Sequence, residues 1–260
     1  MRTRFHLTGF CAFALAVTCF SHLAAQEQSA RTGINDQEAQ AAFHRTRVIG
    51  YSQVGQPRGG WFVAGGIFES LVGNDRWELL WHGGAGVDRW HDPNYAGWSQ
   101  QLVSPCPGDT PVDRVLLSVS GPYGSDEKAW AEAIEATIAT ICQKIPTARQ
   151  IILQAVVGGP DGKPCPAPAG GRKARPGGKS GGDVRASSQH PHIVNAIRAV
   201  VKKYVGGAVE IVAGYEPKLR ACEEYADALG HLTPDGAAAV ARVIGKHYAP
   251  LDRNPIHTKP

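Results

Sequence analysis

Five short apolar runs recur along the chain with amphipathic stretches between them: RVIG at 47–50, WELLWHG at 77–83, RVLLSVSG at 114–121, IILQAVV at 151–157 and VEIVAGY at 209–215. Runs of this length, rich in β-branched and aromatic residues, predict strands. Helices are predicted between them over 60–72, a short one over 94–101, then 126–144 and 190–204, with a last one over 234–247. Ser125 and Asp126 open the third of these, and Pro191 marks the start of the fourth. The last begins sharply, because Thr233 is a good N-cap, Pro234 fits the first helical position and Asp235 suits the positive helix start. Strands alternating with helices predict an α/β domain with a parallel sheet covered on both faces.

One segment breaks this rhythm. Residues 161–183 hold seven glycines, four prolines and five Lys or Arg, a composition that buries no core and predicts a largely disordered surface insertion. The polar residues 26–46 lack a period and read as an N-terminal extension to a domain over 47–250, and residues 251–260 read as a tail. At the start, Arg2 and Arg4, an apolar run from Leu7 to Phe20 and small residues ending at Ala25 predict a signal peptide over 1–25, hence a secreted or periplasmic protein. No later segment reaches the roughly 18 unbroken apolar residues of a membrane span.

Charge and cysteine content narrow the partners. The formal charge of +4 falls to +2 once Arg2 and Arg4 are removed with the leader, which gives no reason to expect a nucleic-acid partner. Removal of Cys11 and Cys19 leaves Cys106, Cys142, Cys165 and Cys222, an even number in a chain bound for an oxidising compartment. Cys106 and Cys142 flank the sheet on its expected N-terminal side, Cys165 and Cys222 on the opposite side, so the expected bonds are Cys106–Cys142 and Cys165–Cys222.

Candidate chemistry gathers where strands end. Ser52 follows the first strand between Gly50 and Gly55, and His231 stands on the loop before the last helix, four residues after Asp227. In a doubly wound sheet of order 2-1-3-4-5, the C-terminal strand ends beside the reversal form the ligand crevice, which places Ser52 and His231 on one edge. Gly83, Gly84 and Gly86 after the second strand allow backbone N–H groups to approach a ligand, and Gly121 and Tyr123 occupy the equivalent loop after the third. A serine hydroxyl is a poor nucleophile until an imidazole accepts its proton, and a carboxylate holds that imidazole in the right tautomer. Trp77 and Trp81 are expected to be structural; Tyr51, Tyr123, Trp90 and Trp98 are the expected substrate contacts. His190 and His192 have a metal-like spacing but no third ligand, so neither metal nor cofactor is expected.

Taken in order, GYSQ, GGAG, SGPYG and DALGHLTPDG resemble the four sequence blocks of the SGNH, or GDSL-type, serine hydrolases, over about residues 47–248. The resemblance implies a three-layer, flavodoxin-like fold with a five-stranded parallel sheet. It also implies Ser52 as nucleophile, His231 as base, Asp227 as its orienting carboxylate, and the N–H groups of Ser52 and Gly86 as an oxyanion hole. Three positions depart from the family pattern: Tyr51 replaces the usual aspartate, Tyr123 stands in place of an oxyanion-hole asparagine, and Asp227 precedes His231 by four residues instead of three. The G-x-S-x-G elbow of α/β-hydrolases is not matched, since GYSQV ends in Val54. The expected activity is hydrolysis of a carboxylic ester, such as an acetylated carbohydrate or a small acyl ester, through an acyl-serine. A non-catalytic carbohydrate-binding module and a carbohydrate O-acyltransferase are the alternatives.

Overall fold

The structure is a computed structural model and describes residues 43–73, 75–168 and 182–253. The leader 1–25, nearly all of the extension 26–46, the centre of the insertion 161–183 and most of the tail 251–260 lie outside the described residues.

Five strands form one parallel sheet: β1 (Thr46–Gly50), β2 (Trp77–Trp81), β3 (Arg114–Val119), β4 (Gln150–Ala155) and β5 (Glu210–Ala213), in the order β2-β1-β3-β4-β5. The α/β class and strand order are those expected. All six residues of β3 are buried, as a central strand covered on both faces requires. Ile49 pairs with Leu80 on one side and Leu117 on the other, and all three belong to the core.

Among the described residues, six helices surround the sheet: α1 (Ser52–Gly55), α2 (Ile67–Val72), α3 (Val87–Trp90), α4 (Glu127–Lys144), α5 (Arg185–Lys203) and α6 (Pro234–Arg253). Leaving β1 in opposite directions, right-handed crossovers send helices to opposite faces. On one face α2 packs on α6; on the other, α4 packs on α5 and α3 lies against α4. The caps follow local chemistry: the Asp126 carboxylate accepts from the Ala129 N–H at 3.0 Å, and Thr233 Oγ1 accepts from the Gly236 N–H at 3.1 Å.

Three helix expectations are corrected. The expected helix over 60–72 is confined to α2, because Gly65 and Gly66 take φ values of 58° and 68° and break the pattern before Ile67. Trp61 and Phe62 are buried nonetheless: Trp61 meets Phe68 edge-on at 5.1 Å, and Phe68 meets Trp77 at 5.2 Å. The segment near 94–101 forms only a 3-10 turn over Ala96–Ser99. Helix α5 starts at Arg185, so Pro191 lies inside it instead of opening it.

The cysteines divide. Cys165 and Cys222 are bonded, with 5.5 Å between their Cα atoms, whereas the expected Cys106–Cys142 bond is absent and both residues are thiols. Their neighbourhoods explain this. Cys106 sits beside edge strand β2, its N–H donating to Glu78 Oε2 at 3.3 Å, while Cys142 belongs to the last turns of α4. Burial, reinforced by the Glu78 carboxylate, pushes the Cys106 thiol up to about 11.

Candidate active site

The turn that carries Ser52 is shaped by packing. A Cβ on Gly50 would fall 2.6 Å from Val54 Cγ2, and one on Gly55 would fall 2.3 Å from the Trp81 ring, so both neighbours of the turn must be glycine. Tyr51, extended at φ −130°, caps α1 and places Ser52 at its first position above the end of β1. The cavity there has a volume of about 610 Å³ and includes Ser52, Gly86 and His231 in its lining.

Across that cavity Ser52 Oγ lies 2.8 Å from His231 Nε2, and His231 Nδ1 lies 2.6 Å from Asp227 Oδ2. The four-residue interval between Asp227 and His231 closes as a tight turn. Asp227 Oδ1 accepts from the backbone N–H groups of Leu229, Gly230 and His231 at 2.9, 3.1 and 3.2 Å, while Oδ2 remains for the ring. Gly230 makes the turn possible with φ of 96°, and a Cβ there would also lie 2.3 Å from that of Ala186. Burial raises the Asp227 carboxyl, but the hydrogen bond and charge of His231, together with the backbone donors, outweigh it and hold the group below its ordinary value. An ionised carboxylate only accepts, so Nδ1 carries the ring proton and Nε2 is left to accept from the serine hydroxyl.

Two backbone donors complete the arrangement. Among the described residues, no protein acceptor engages the N–H of Ser52 or of Gly86, and both residues line the cavity. The Gly86 loop is held close to β3 because the Val87 N–H donates to the Ser120 carbonyl at 2.7 Å. A Cβ on Gly86 would fall 2.3 Å from that same oxygen.

The expected aromatic contacts are redistributed. Tyr51 lines the cavity, with its hydroxyl donating to Gln53 Oε1 at 2.5 Å, and burial pushes its phenol well above the ordinary range. Trp90 is fully buried and donates to the Ala85 carbonyl at 3.1 Å, so it braces the glycine loop without facing the cavity. Trp98 stacks edge-on against Trp90 at 5.0 Å and donates to the Asp92 carbonyl, and Tyr123 stacks on Trp130 at 5.1 Å; neither lines the cavity. The cause is α4: Thr137 Oγ1 donates to the Val87 carbonyl and Thr140 Oγ1 to that of His91, which pins α3 down with Trp90 inward. Trp81, expected to be structural, lines the cavity instead.

Residues outside the sequence expectation also contribute. Gln53 is 2% exposed; its Nε2 donates to the Gly230 carbonyl at 2.6 Å and its Oε1 accepts from the Val157 N–H at 3.0 Å. Arg185 and Gln189 enter the cavity wall from α5. Only the position of Gln53 next to Ser52 hinted at a role, because a polar residue in a glycine-flanked turn is ordinarily solvated. His190 is buried, with Gly158 packed against its ring, and His192 Nδ1 lies 3.0 Å from Glu127 Oε1, so the two do not converge. Among the described residues, no cluster of three or more His, Cys, Asp or Glu is arranged to hold a metal, and no helix is long and apolar enough to cross a membrane.

No family model matches the chain, and no curated protein matches it. A solved structure described as "a putative SGNH hydrolase from Slackia heliotrinireducens" is similar over 80% of this chain and 99% of that one, at 16% identity and a TM-score of 0.44. A likeness that distant carries no argument about chemistry, which rests on the geometry above.

Proposed function

We propose that this protein is an exported serine esterase of the SGNH type, acting on a carboxylic ester through an acyl-serine intermediate. The observation that carries the reading is the unbroken relay from Ser52 Oγ through His231 to Asp227, at 2.8 and 2.6 Å, in a cavity lined by Ser52 and Gly86, whose N–H groups have no protein acceptor among the described residues. In the first half-reaction Ser52 Oγ attacks the ester carbonyl carbon and His231 Nε2 takes the hydroxyl proton. Asp227 stabilises the imidazolium that results, and the N–H groups of Ser52 and Gly86 bind the oxyanion. Collapse expels the alcohol, which leaves with the proton from His231. Water then attacks the acyl-serine, giving its proton to His231, and the carboxylic acid departs as Ser52 regains its hydrogen.

The cavity volume of about 610 Å³ suits a small acyl ester or an acetylated carbohydrate. With Tyr123 held on Trp130, the third block offers no side-chain amide to the oxyanion. A missing donor of this kind costs about 2.7–4 kcal/mol of transition-state stabilisation, so slow turnover of simple esters is expected. The leader-like residues 1–25 and the Cys165–Cys222 bond support export. Fluorophosphonate labelling tests the proposal. Stoichiometric modification of the folded protein, abolished in Ser52→Ala, is the expected result, and absence of labelling would overturn it.

A further inference from the structure

Helix α5 lays its first two turns along the cavity, where Arg185, Ala186 and Gln189 share the lining with Ser52 and His231. Arg185 and Gln189 are four residues apart and therefore occupy one helix face. Their position is tied to the catalytic loop: the Arg185 N–H donates to the Ala228 carbonyl at 2.9 Å, and Ala186 packs against Gly230, the residue before His231.

Both side chains are left with unused donors. Gln189 is 7% exposed, yet among the described residues its amide forms no hydrogen bond with the protein. Its amide atoms reach the solvent of the cavity, where a ligand can engage them. The guanidinium of Arg185 makes one long contact, 3.4 Å to the Gly121 carbonyl, and among the described residues no carboxylate lies within ion-pair distance of it. It is the sole Lys or Arg among the described residues of the lining. The carboxylate among the described lining residues, Asp88, belongs to the first turn of α3 and lies 3.7 Å from Arg89. One wall of the cavity thus offers a planar cationic fork, a neighbouring amide and the positive end of a long helix.

We propose that Arg185 and Gln189 form a subsite for a carboxylate on the ester substrate, so that the preferred substrate is an anionic ester. The inference rests on the esterase reading above. The guanidinium takes the carboxylate through two parallel N–H donors and the Gln189 amide donates a third, leaving the ester carbonyl beside Ser52.

The test compares matched esters, hydrolysed by the full chain. 4-Nitrophenyl butyrate and its hemisuccinate differ by a carboxylate on the acyl side; 4-acetamidophenyl acetate and 4-carboxyphenyl acetate differ by one on the alcohol side. In at least one pair the anionic ester should have the higher kcat/KM, and Arg185→Gln should lower the anionic-to-neutral ratio about tenfold, the effect of one charge-assisted contact. Gln189→Leu should move the ratio in the same direction, and high salt should shrink it in the wild type. Thermal melting and fluorophosphonate labelling of each variant establish that fold and nucleophile persist. A ratio within about twofold of wild type in both pairs, for both variants, would overturn the proposal. Equal loss on both members of each pair would overturn it too, by assigning Arg185 to the reacting carbonyl. Hydrolysis without an Arg185-dependent preference removes the subsite alone, whereas no hydrolysis of any of the four esters removes the esterase reading as well.

Discussion

The side-chain amide of Gln53 donates to the carbonyl of Gly230 at 2.6 Å, across 177 residues of chain. One residue follows the nucleophile and the other precedes the base, so this bond joins the two loops that the relay must bridge. The same amide oxygen is held by the Val157 N–H and the Tyr51 hydroxyl, which anchors the junction to the end of β4. Gln53→Leu keeps the bulk and removes the brace. It is expected to lower kcat on the order of 100-fold with little change in KM, since small misplacements of reacting groups cost about that much. Stability should fall by about 1–3 kcal/mol, from polar groups left unpaired. A variant that loses stability while keeping its kcat would show the brace to be structural only.

Asp227→Asn tests the tautomer. An amide that presents its N–H to Nδ1 forces the ring proton to Nε2, where it blocks acceptance from Ser52. A decrease in kcat on the order of 10⁴-fold is expected, with KM little changed. The sign of the pH effect follows from the same geometry. The Asp227 carboxyl is held below its ordinary value of 3.8, so its stabilising contribution is complete above that value and disappears only as pH falls through the lower folded value. Activity retained within tenfold in Asp227→Asn would remove the orienting role.

His190 predicts a separate acid sensitivity. Burial, with the nearby Lys218 adding to it, pushes this imidazole from 6.5 down to about 4. The folded state therefore refuses a proton that the unfolded chain accepts, and stability is complete above 6.5 and lost progressively as pH falls toward 4. The loss attributable to this residue is roughly 3 kcal/mol across that window. Urea unfolding at several pH values, in wild type and in His190→Leu, measures it as the difference in slope; equal slopes would refute it.

The Cys165–Cys222 bond closes a loop with a sequence separation of 57. Chain-entropy arguments give such a closure about 4 kcal/mol of stabilisation. Replacing both residues with alanine is expected to lower the melting temperature markedly. Peptide mapping under non-reducing conditions should recover this cross-link and no Cys106–Cys142 peptide pair. Cys106 should also resist alkylation at pH 8 until the chain unfolds, because its thiol is pushed up to about 11.

Much of the fold was legible because its signals are local. Five apolar runs, the Thr233 and Asp126 caps and the alternation of strand with helix marked a parallel sheet, whose order was taken from the doubly wound fold class, and the glycines around Ser52 marked a tight turn where a strand ends. The polar intervals misled where a few dihedrals decide the outcome, as at Gly65 and Gly66, or where packing carries a helix past a proline, as at Pro191. The site divides along the same line. Ser52, Asp227 and His231 stood out because their residue types at strand ends suit one chemistry. The meeting of Ser52 Oγ and His231 Nε2 across 179 residues was settled only when β1 and the loop after β5 came to one edge of the sheet. The inward turn of Trp90, the separation of Cys106 from Cys142, the brace of Gln53 and the donors of Arg185 and Gln189 depend on which surfaces pack together. Contacts between residues distant along a chain are made by the folded core as a whole, and no local pattern encodes them.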